Sequence, residues 1–280
     1  MKNATQELSK ADYDRLRDLI YKESGINLGS ERKTMVEVRL RHRLRTLGIA
    51  SLREYSEHVF SAEGIKSELV HLIDVITTNK TDFFREASHF KYLVANALPD
   101  LAARRGVIRH SLIWSAGCST GEEPYTLGMV LSEYALGCPG FRFSVLATDI
   151  CTDVLERAAA GIYKKSVLEP VPPGLLRKYF MRSRDPKSEM YRVVPELRAL
   201  MDFRRLNFMD ADFGISQPPE IIFCRNVIIY FDRPTQIRLL EKLIRQLQPG
   251  GYFFSGHSES FQGMDLNLVQ VAPAIYRKPE

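Results

Sequence analysis

The sequence predicts an α/β protein on a mostly parallel, doubly wound sheet, with an all-helical unit ahead of the sheet and a small β-rich insertion within it. Three observations carry this. Short apolar runs alternate with helical stretches from residue 112 onward, the first 76 residues show only helical periodicity, and one proline-rich stretch breaks the alternation. At 280 residues the chain exceeds the roughly 100–200 usual for one domain. The division expected is 1–76 and 77–280, with an inserted subdomain at 161–200.

The helical unit opens with Leu16, Leu19 and Ile20 at i, i+3, i+4, and Gly25 is its first stop. Val36, Leu40, Leu44 and Leu47 form a second stripe that Gly48 ends, and Leu52–Phe60 and Ile65–Ile76 continue the pattern. Leu112–Ala116, Phe143–Ala147, Met201–Leu206, Glu220–Cys224 and Tyr252–Ser255 then read as strands, several apolar enough to be buried on both faces. Glu123–Leu136, Asp153–Ala160 and Pro234–Leu247 read as the helices between them. Alternation of this kind gives a parallel sheet. Between Gly161 and Ala199, Pro170, Pro172, Pro173, Pro186 and Pro195 accompany short β-like pieces such as Met190–Val194, read as a helix followed by a hairpin. Leu268–Tyr276 is expected as one antiparallel edge strand.

Apolar residues at 45% and charged residues at 26% exclude a disordered or fibrous chain. No window approaches the roughly 18 apolar residues of a spanning helix, and the polar start MKNATQELSKADYDRL has no export signal, so a cytoplasmic protein without membrane insertion is expected. Cys118, Cys138, Cys151 and Cys224 show no CxxC spacing, and no histidine forms HExxH or a zinc-finger pair. Reduced thiols and no metal are the expectation. The net charge of +5 is concentrated, because Arg32, Lys33, Arg39, Arg41, Arg43 and Arg45 face a single acid, Glu37, between residues 32 and 45. An acidic partner is expected there.

Chemistry-bearing residues cluster at predicted strand ends. Trp114–Tyr125 (WSAGCSTGEEPY) joins the first strand to a helix through a G-x-x-x-G loop, without the Lys-Ser/Thr of a P-loop or the third glycine of a dinucleotide fingerprint. Glu122 and Glu123 would repel a pyrophosphate and welcome an ammonium or sulfonium, although acids in a first turn also complement the helix dipole. Asp149 ends the second strand, where an acid grips ribose hydroxyls; as the alternative it caps the next helix, a role Thr152 or Asp153 can also fill. Cys224–Asp232 (CRNVIIYFD) follows the fourth strand and lies over the same crevice, with Tyr230 either there or in the core. At the junction of the two units, Asn79 or Thr81 can cap a helix, and Arg85, a turn beyond Thr81, can hold a carboxylate in bidentate fashion. Ser255–Glu259 fails as G-x-S-x-G because residue 260 is Ser260, so a cofactor-edge loop is expected instead of a nucleophile elbow.

WSAGCSTGEEPY, ATDI, IFCRNVIIYFD and GHSE, with TTNKTDFFRE upstream and ERKTMVEVRLRHRLRTLGI in the helical unit, resemble the chemotaxis receptor glutamate O-methyltransferases, the CheR-type enzymes, over essentially the whole chain. The resemblance implies a sheet of the S-adenosylmethionine-dependent methyltransferase type, S-adenosylmethionine as cofactor with S-adenosylhomocysteine as product, and glutamyl side chains of chemoreceptor cytoplasmic domains as substrate. It implies cofactor positions at Asn79, Thr81, Arg85, Glu123, Asp149, Asn207, Phe208, Arg225 and Asn226, with Tyr230 and Arg85 completing the catalytic pocket. The insertion matches a family subdomain that in some members docks a receptor peptide; its loop Ser183–Tyr191 here has no glycine. A glutamyl carboxylate, with a pKa of about 4.3, is ionised at neutral pH and needs no general base.

Receptor methylation sites lie on glutamate-rich helices, so Arg39, Arg41, Arg43 and Arg45, flanking the second stripe with heads in solvent, are the expected docking face. A monomer recruited from the cytoplasm to receptor arrays is the expectation. A nucleotide-dependent oxidoreductase is disfavoured by the missing third glycine, and nucleic-acid binding by the lack of aromatics among the arginines.

Overall fold

The computed structural model describes residues 7–105, 110–185 and 187–280; the first six residues of the polar start, residues 106–109 and Pro186 of the insertion lie outside the described set. Four helices come first: α1 (Lys10–Ser24), α2 (Lys33–Leu47), α3 (Leu52–Val59) and α4 (Gly64–Ile76). Ser9 and Ser51 cap α1 and α3 by accepting the amides of Asp12 and Glu54, and Gly25 and Gly48 end α1 and α2 in left-handed conformation. No element was assigned from sequence to residues 87–105, which form α5 (Ser88–Tyr92), a π-turn at Leu93–Ala97 and α6 (Leu98–Arg105). Pro99 lacks the N–H that a regular helix would use there, and the wide turn immediately before it accommodates that loss.

The sheet then builds through β1 (Ser111–Ala116), α7 (Glu122–Gly137), β2 (Phe143–Asp149) and α8 (Thr152–Ala160). The insertion contributes β3 (Ile162–Lys164), α9 (Pro173–Tyr179), β4 (Phe180–Arg182), β5 (Met190–Val193) and α10 (Pro195–Arg198). Its three strands make a separate antiparallel sheet ordered β3-β5-β4. The main path resumes with β6 (Met201–Arg205), β7 (Ile221–Cys224), α11 (Arg233–Gln246), β8 (Tyr252–Ser255), β9 (Val269–Ala272) and β10 (Ile275–Arg277). The expected single strand at Leu268–Tyr276 is corrected to this hairpin: Ala274 takes a left-handed turn after Pro273, β10 pairs antiparallel with β8, and β9 becomes the edge.

The seven-stranded order is β6-β2-β1-β7-β8-β10-β9, parallel from β6 to β8. The chain winds outward from β1 to β2 and β6 on one side and to β7 and β8 on the other. The switch therefore lies between β1 and β7, and their carboxyl ends open a crevice there. Both faces of the inner strands are covered, which is why β1, β7 and β8 are largely apolar, whereas the edge strands β6 and β9 carry exposed Asp202, Arg204, Arg205 and Gln270. Trp114, Ile222 and Phe253 point into a core shared with α11 and the helical unit, whereas Ile113, Phe223 and Phe254 point into one built with α5, α6 and α7. The N-terminal helices thus share a core with the sheet.

The stripe of α2 packs as its spacing requires for Val36, Leu40 and Leu44, while Leu47 is 37% exposed. The expectation that its arginine heads stand in solvent is corrected for two of the four. Arg39 donates to the carbonyls of Ile76 and Thr77 (2.5 and 2.8 Å), satisfying the open end of α4. Arg43 grips Glu68 of α4 through Nε and Nη2 at 2.7 and 2.8 Å, and Tyr55 donates to the same carboxylate at 2.9 Å. Positions 39 and 43 form the i, i+4 ridge that faces α4, whereas Arg41 and Arg45 are exposed.

Burial alone would raise the Glu68 carboxyl, but the bonds from Arg43 and Tyr55 outweigh it and hold its pKa below the ordinary 4.5. The stability this group contributes is therefore fully present above pH 4.5 and lost as pH falls through its lower folded value. Glu68→Gln is expected to destabilise the protein by about 2–3 kcal/mol at neutral pH, less than a fully buried pair because Arg43 is partly exposed. Urea unfolding at pH 7 and pH 3 checks this, and the variant's deficit should shrink at the lower pH.

Candidate active site

A cleft of about 1080 Å³, counting its open mouth, lies at the switch point. Its floor comes from the loops after β1, β2 and β7, and one wall from the helical unit through Ser24, Ile26, Leu28 and Arg32. The Ile26–Leu28 segment is stitched down by the Asn27 amide, which donates to the Tyr230 carbonyl at 2.9 Å, and Asn207 Nδ2 donates to the Glu23 carbonyl. Gly25 suits this turn because its φ of 74° is a left-handed conformation that side chains rarely adopt.

The residues singled out at strand ends converge. Asp149, Glu123, Arg225, Asn226 and Tyr230 line the cleft, as do Asn79, Thr81 and Arg85 from the junction and Asn207 and Phe208 from the segment after β6. Arg39, Arg41, Arg43 and Arg45 are outside it. Ser119 and Asp149 organise the floor: Asp149 accepts the Ser119 amide at 2.8 Å through Oδ2 and the Cys151 amide at 3.0 Å through Oδ1. Burial pushes its carboxyl upward, against the pull of those amides. Asp149 does not cap α8, and neither do Thr152 and Asp153: the N-cap is Cys151 without a side-chain bond, and Asp74 of α4 accepts the Thr152 amide and hydroxyl at 3.2 and 2.6 Å. Asn79 and Thr81 cap nothing, because the next helix after α4 starts only at Ser88. Instead the Asn79 carbonyl accepts the Ser119 hydroxyl at 2.9 Å.

Arg225 is the electrostatic centre. Its side chain is 3% exposed and pairs with Glu86 and Glu123, each at 3.0 Å, with its charge 5.6 Å from the Phe90 ring centre. Glu123 also accepts the Ser115 hydroxyl at 2.7 Å. Burial raises the Glu123 carboxyl, with Arg225 opposing, whereas at Glu86 the Arg225 charge overcomes burial and the pKa falls. Glu86 and Phe90 were given no role from sequence; the signal available was that Glu86 closes the motif TTNKTDFFRE, with Phe90 one turn beyond it. Backbone strain gathers at the same place: Phe84, Glu86, Ser119 and Asn226 are four of the five non-glycine residues in left-handed conformation among those described. Gly117 lets the loops after β1 and β7 touch, since a Cβ there would meet Val227 Cγ2 at 2.4 Å.

The Ser255–Glu259 loop does not line the cleft, correcting the expectation of a cofactor-edge loop. It holds the residues that do. Buried Glu259 accepts the amides of Val227 and Ile228 at 3.0 and 2.8 Å and of Gly256 at 2.6 Å, fixing the turn that presents Asn226 and Tyr230. Tyr230 is half-buried, with the Arg32 guanidinium 5.9 Å from its ring centre, so it is not a core residue.

A carboxylate with spare lone pairs, flanking amides and a loop pressed close by Gly117 suit a nucleoside with hydroxyls and a positively charged centre, and arginines with a phenol suit an anionic acceptor. Together with the open parallel sheet, this defines the class of an S-adenosylmethionine-dependent methyltransferase. Residues 79–275 match the family model described as CheR methyltransferase, SAM binding domain, and residues 11–77 match CheR methyltransferase, all-alpha domain. The chain is 43% identical to chemotaxis protein methyltransferase 2 of Pseudomonas aeruginosa over 270 residues, 96% of this chain and 93% of that one. It is 39% identical to the chemotaxis protein methyltransferase of Escherichia coli (96% and 91% covered) and 38% identical to that of Borreliella burgdorferi (99% and 97%). The chain belongs to the CheR methyltransferase family, and S-adenosylmethionine is its cofactor. Among the described residues no helix is long and apolar enough to cross a membrane.

Glu259→Gln replaces one acceptor oxygen with an amino group aimed at backbone amides. A loss of about 1.5–3 kcal/mol is expected, with faster hydrogen exchange at Val227, Ile228 and Gly256. Unchanged protection at these amides would remove Glu259 from the support of the turn.

Proposed function

We propose that the protein transfers the methyl group of S-adenosylmethionine to glutamyl side-chain carboxylates of chemoreceptor cytoplasmic domains, giving methyl esters. One observation carries this reading: the described lining of the cleft holds arginines and a tyrosine but no histidine or cysteine, as befits an acceptor that is already an anion. Bound S-adenosylmethionine supplies an electrophilic methyl on a sulfonium, and its thioether product is a neutral leaving group.

The chain's own residues then have to bind, align and dry the site. In this reading Asp149 takes the ribose hydroxyls, and Asn79, Thr81, Arg85, Glu123, Asn207, Phe208, Arg225 and Asn226 hold the rest of the cofactor. Arg85 and Tyr230 grip the glutamyl carboxylate, so that its oxygen meets the methyl group at near-attack distance while water is excluded. The helical unit of residues 1–76 offers Arg41 and Arg45 to acidic receptor helices, 77–280 is the catalytic domain, and 161–200 is its insertion. A monomer acting in the cytoplasm at receptor arrays completes the reading.

Incubation with methyl-labelled S-adenosylmethionine and a chemoreceptor cytoplasmic fragment tests the reaction. Label released by mild alkali supports the ester, and alkali-stable label overturns it. Asp149→Ala should weaken S-adenosylhomocysteine binding by about 1.5–3 kcal/mol in calorimetry. Tyr230→Phe should slow single-turnover transfer while leaving that affinity intact, because only alignment is lost; a wild-type rate would take Tyr230 out of the reaction. Replacing Arg41 and Arg45 by Glu should cut receptor methylation and flatten its dependence on ionic strength, with cofactor affinity unchanged. Equal rates and salt slopes would mean that the two arginines dock nothing.

A further inference from the structure

Beside Arg225 the fold assembles a set of ligands that no local sequence pattern announces. Glu86 comes from the left-handed turn ahead of α5, His89 from α5 itself, and His257 from the loop after β8. One ligand atom from each lies within 4.8 Å of the other two. The Nε2 atoms of His89 and His257 are 3.1 Å apart, and Glu86 Oε2 is 3.9 Å from His257 Nε2. Zinc–nitrogen bonds of about 2.0–2.1 Å in a tetrahedral site put ligand atoms roughly 3.3 Å apart, so small side-chain movements close the set on an ion.

Of the three side chains, His89 is the one held inside the fold. The His89 side chain is 1% exposed, with Glu86 Oε2 3.5 Å from its Nδ1 and a hydrogen bond from the ring to the Pro273 backbone. An ion between the two imidazoles takes His89 through Nε2, the nitrogen that faces His257, while Glu86 Oε2 stands nearest Nδ1. The His257 side chain is 51% exposed, which gives an ion a way in and leaves room for water as a further ligand.

We propose that Glu86, His89 and His257 form a binding site for a borderline divalent transition-metal ion, of which zinc is the representative. Two imidazoles and one carboxylate are a donor set for such ions and not for magnesium or calcium, which take oxygen ligands. The ion competes with Arg225, whose guanidinium stays charged and holds the same Glu86 oxygen at 3.0 Å. Loading draws Glu86 away from Arg225 and so disturbs Glu123 in the cleft. Metal and cofactor then oppose each other, and the effect is reciprocal. This coupling, unlike the metal site itself, rests on the cofactor occupying the cleft beside Arg225.

The test uses the full chain, stripped with a chelator and titrated with zinc chloride by calorimetry, beside His257→Ala and His42→Ala. His257 is half exposed, so its loss does not threaten the fold, and His42 is an exposed histidine on α2. Expected are one zinc per chain, affinity reduced about 10-fold or more in His257→Ala, and affinity unchanged in His42→Ala. No binding by the wild type, or equal binding by wild type and His257→Ala, overturns the site. S-adenosylhomocysteine affinity is measured with and without zinc: weaker binding in zinc supports competition for Glu86, and equal binding removes that coupling while the titration still decides the site.

Discussion

The guanidinium of Arg225 ties together three stretches that the sequence keeps far apart. It reaches Glu86 at 139 and Glu123 at 102 residues' separation, and it donates to the Arg85 carbonyl at 2.5 Å. Two carboxylates this close would repel each other in a dry setting, and a lone buried cation would be costlier still. Each charge is tolerable because the others are present. The start of α7, the end of β7 and the strained turn through Phe84 and Glu86 are therefore held in one arrangement, and the cleft is what that arrangement encloses.

Around this centre the supports are mostly backbone amides. Asp149 is oriented by the amides of Ser119 and Cys151, and Glu259 by those of Val227, Ile228 and Gly256. The helical unit closes the wall through Asn27 on Tyr230, Glu23 on Asn207 and Asp74 on Thr152. It shares the core face that holds Trp114, Ile222 and Phe253, so the helical unit and the cleft sit on one packed body. Arg39 and Arg43 serve that packing, and the charge they contribute is turned inward to α4.

The main sheet was legible from sequence because burial on both faces leaves runs such as IIFC and YFFS with no polar interruption. Helix ends followed from Gly25 and Gly48, and the cleft from the rule that strand ends at a switch point bind ligands. Residues 88–105 escaped because the π-turn and Pro99 break helical spacing. The last strand was read as one because Ala274 turns within an apolar stretch. Periodicity placed Arg39 and Arg43 beside the buried stripe but could not say that α4 would face them with carbonyls and Glu68. Pairings such as Arg225 with Glu86 carry no local signal at all, and the same holds for the meeting of His89 with His257.

The dependence of the cleft on Arg225 is tested most directly by a double-mutant cycle in urea unfolding, with Arg225→Met, Glu123→Gln and the pair combined. Arg225→Met leaves two carboxylates unpaired, and a loss of about 3–5 kcal/mol is expected. Adding Glu123→Gln should recover at least about 1 kcal/mol of that loss, since the charge it removes no longer has a partner. Strictly additive losses, or an Arg225→Met variant as stable as the wild type, would contradict the view that this ion cluster holds the site together.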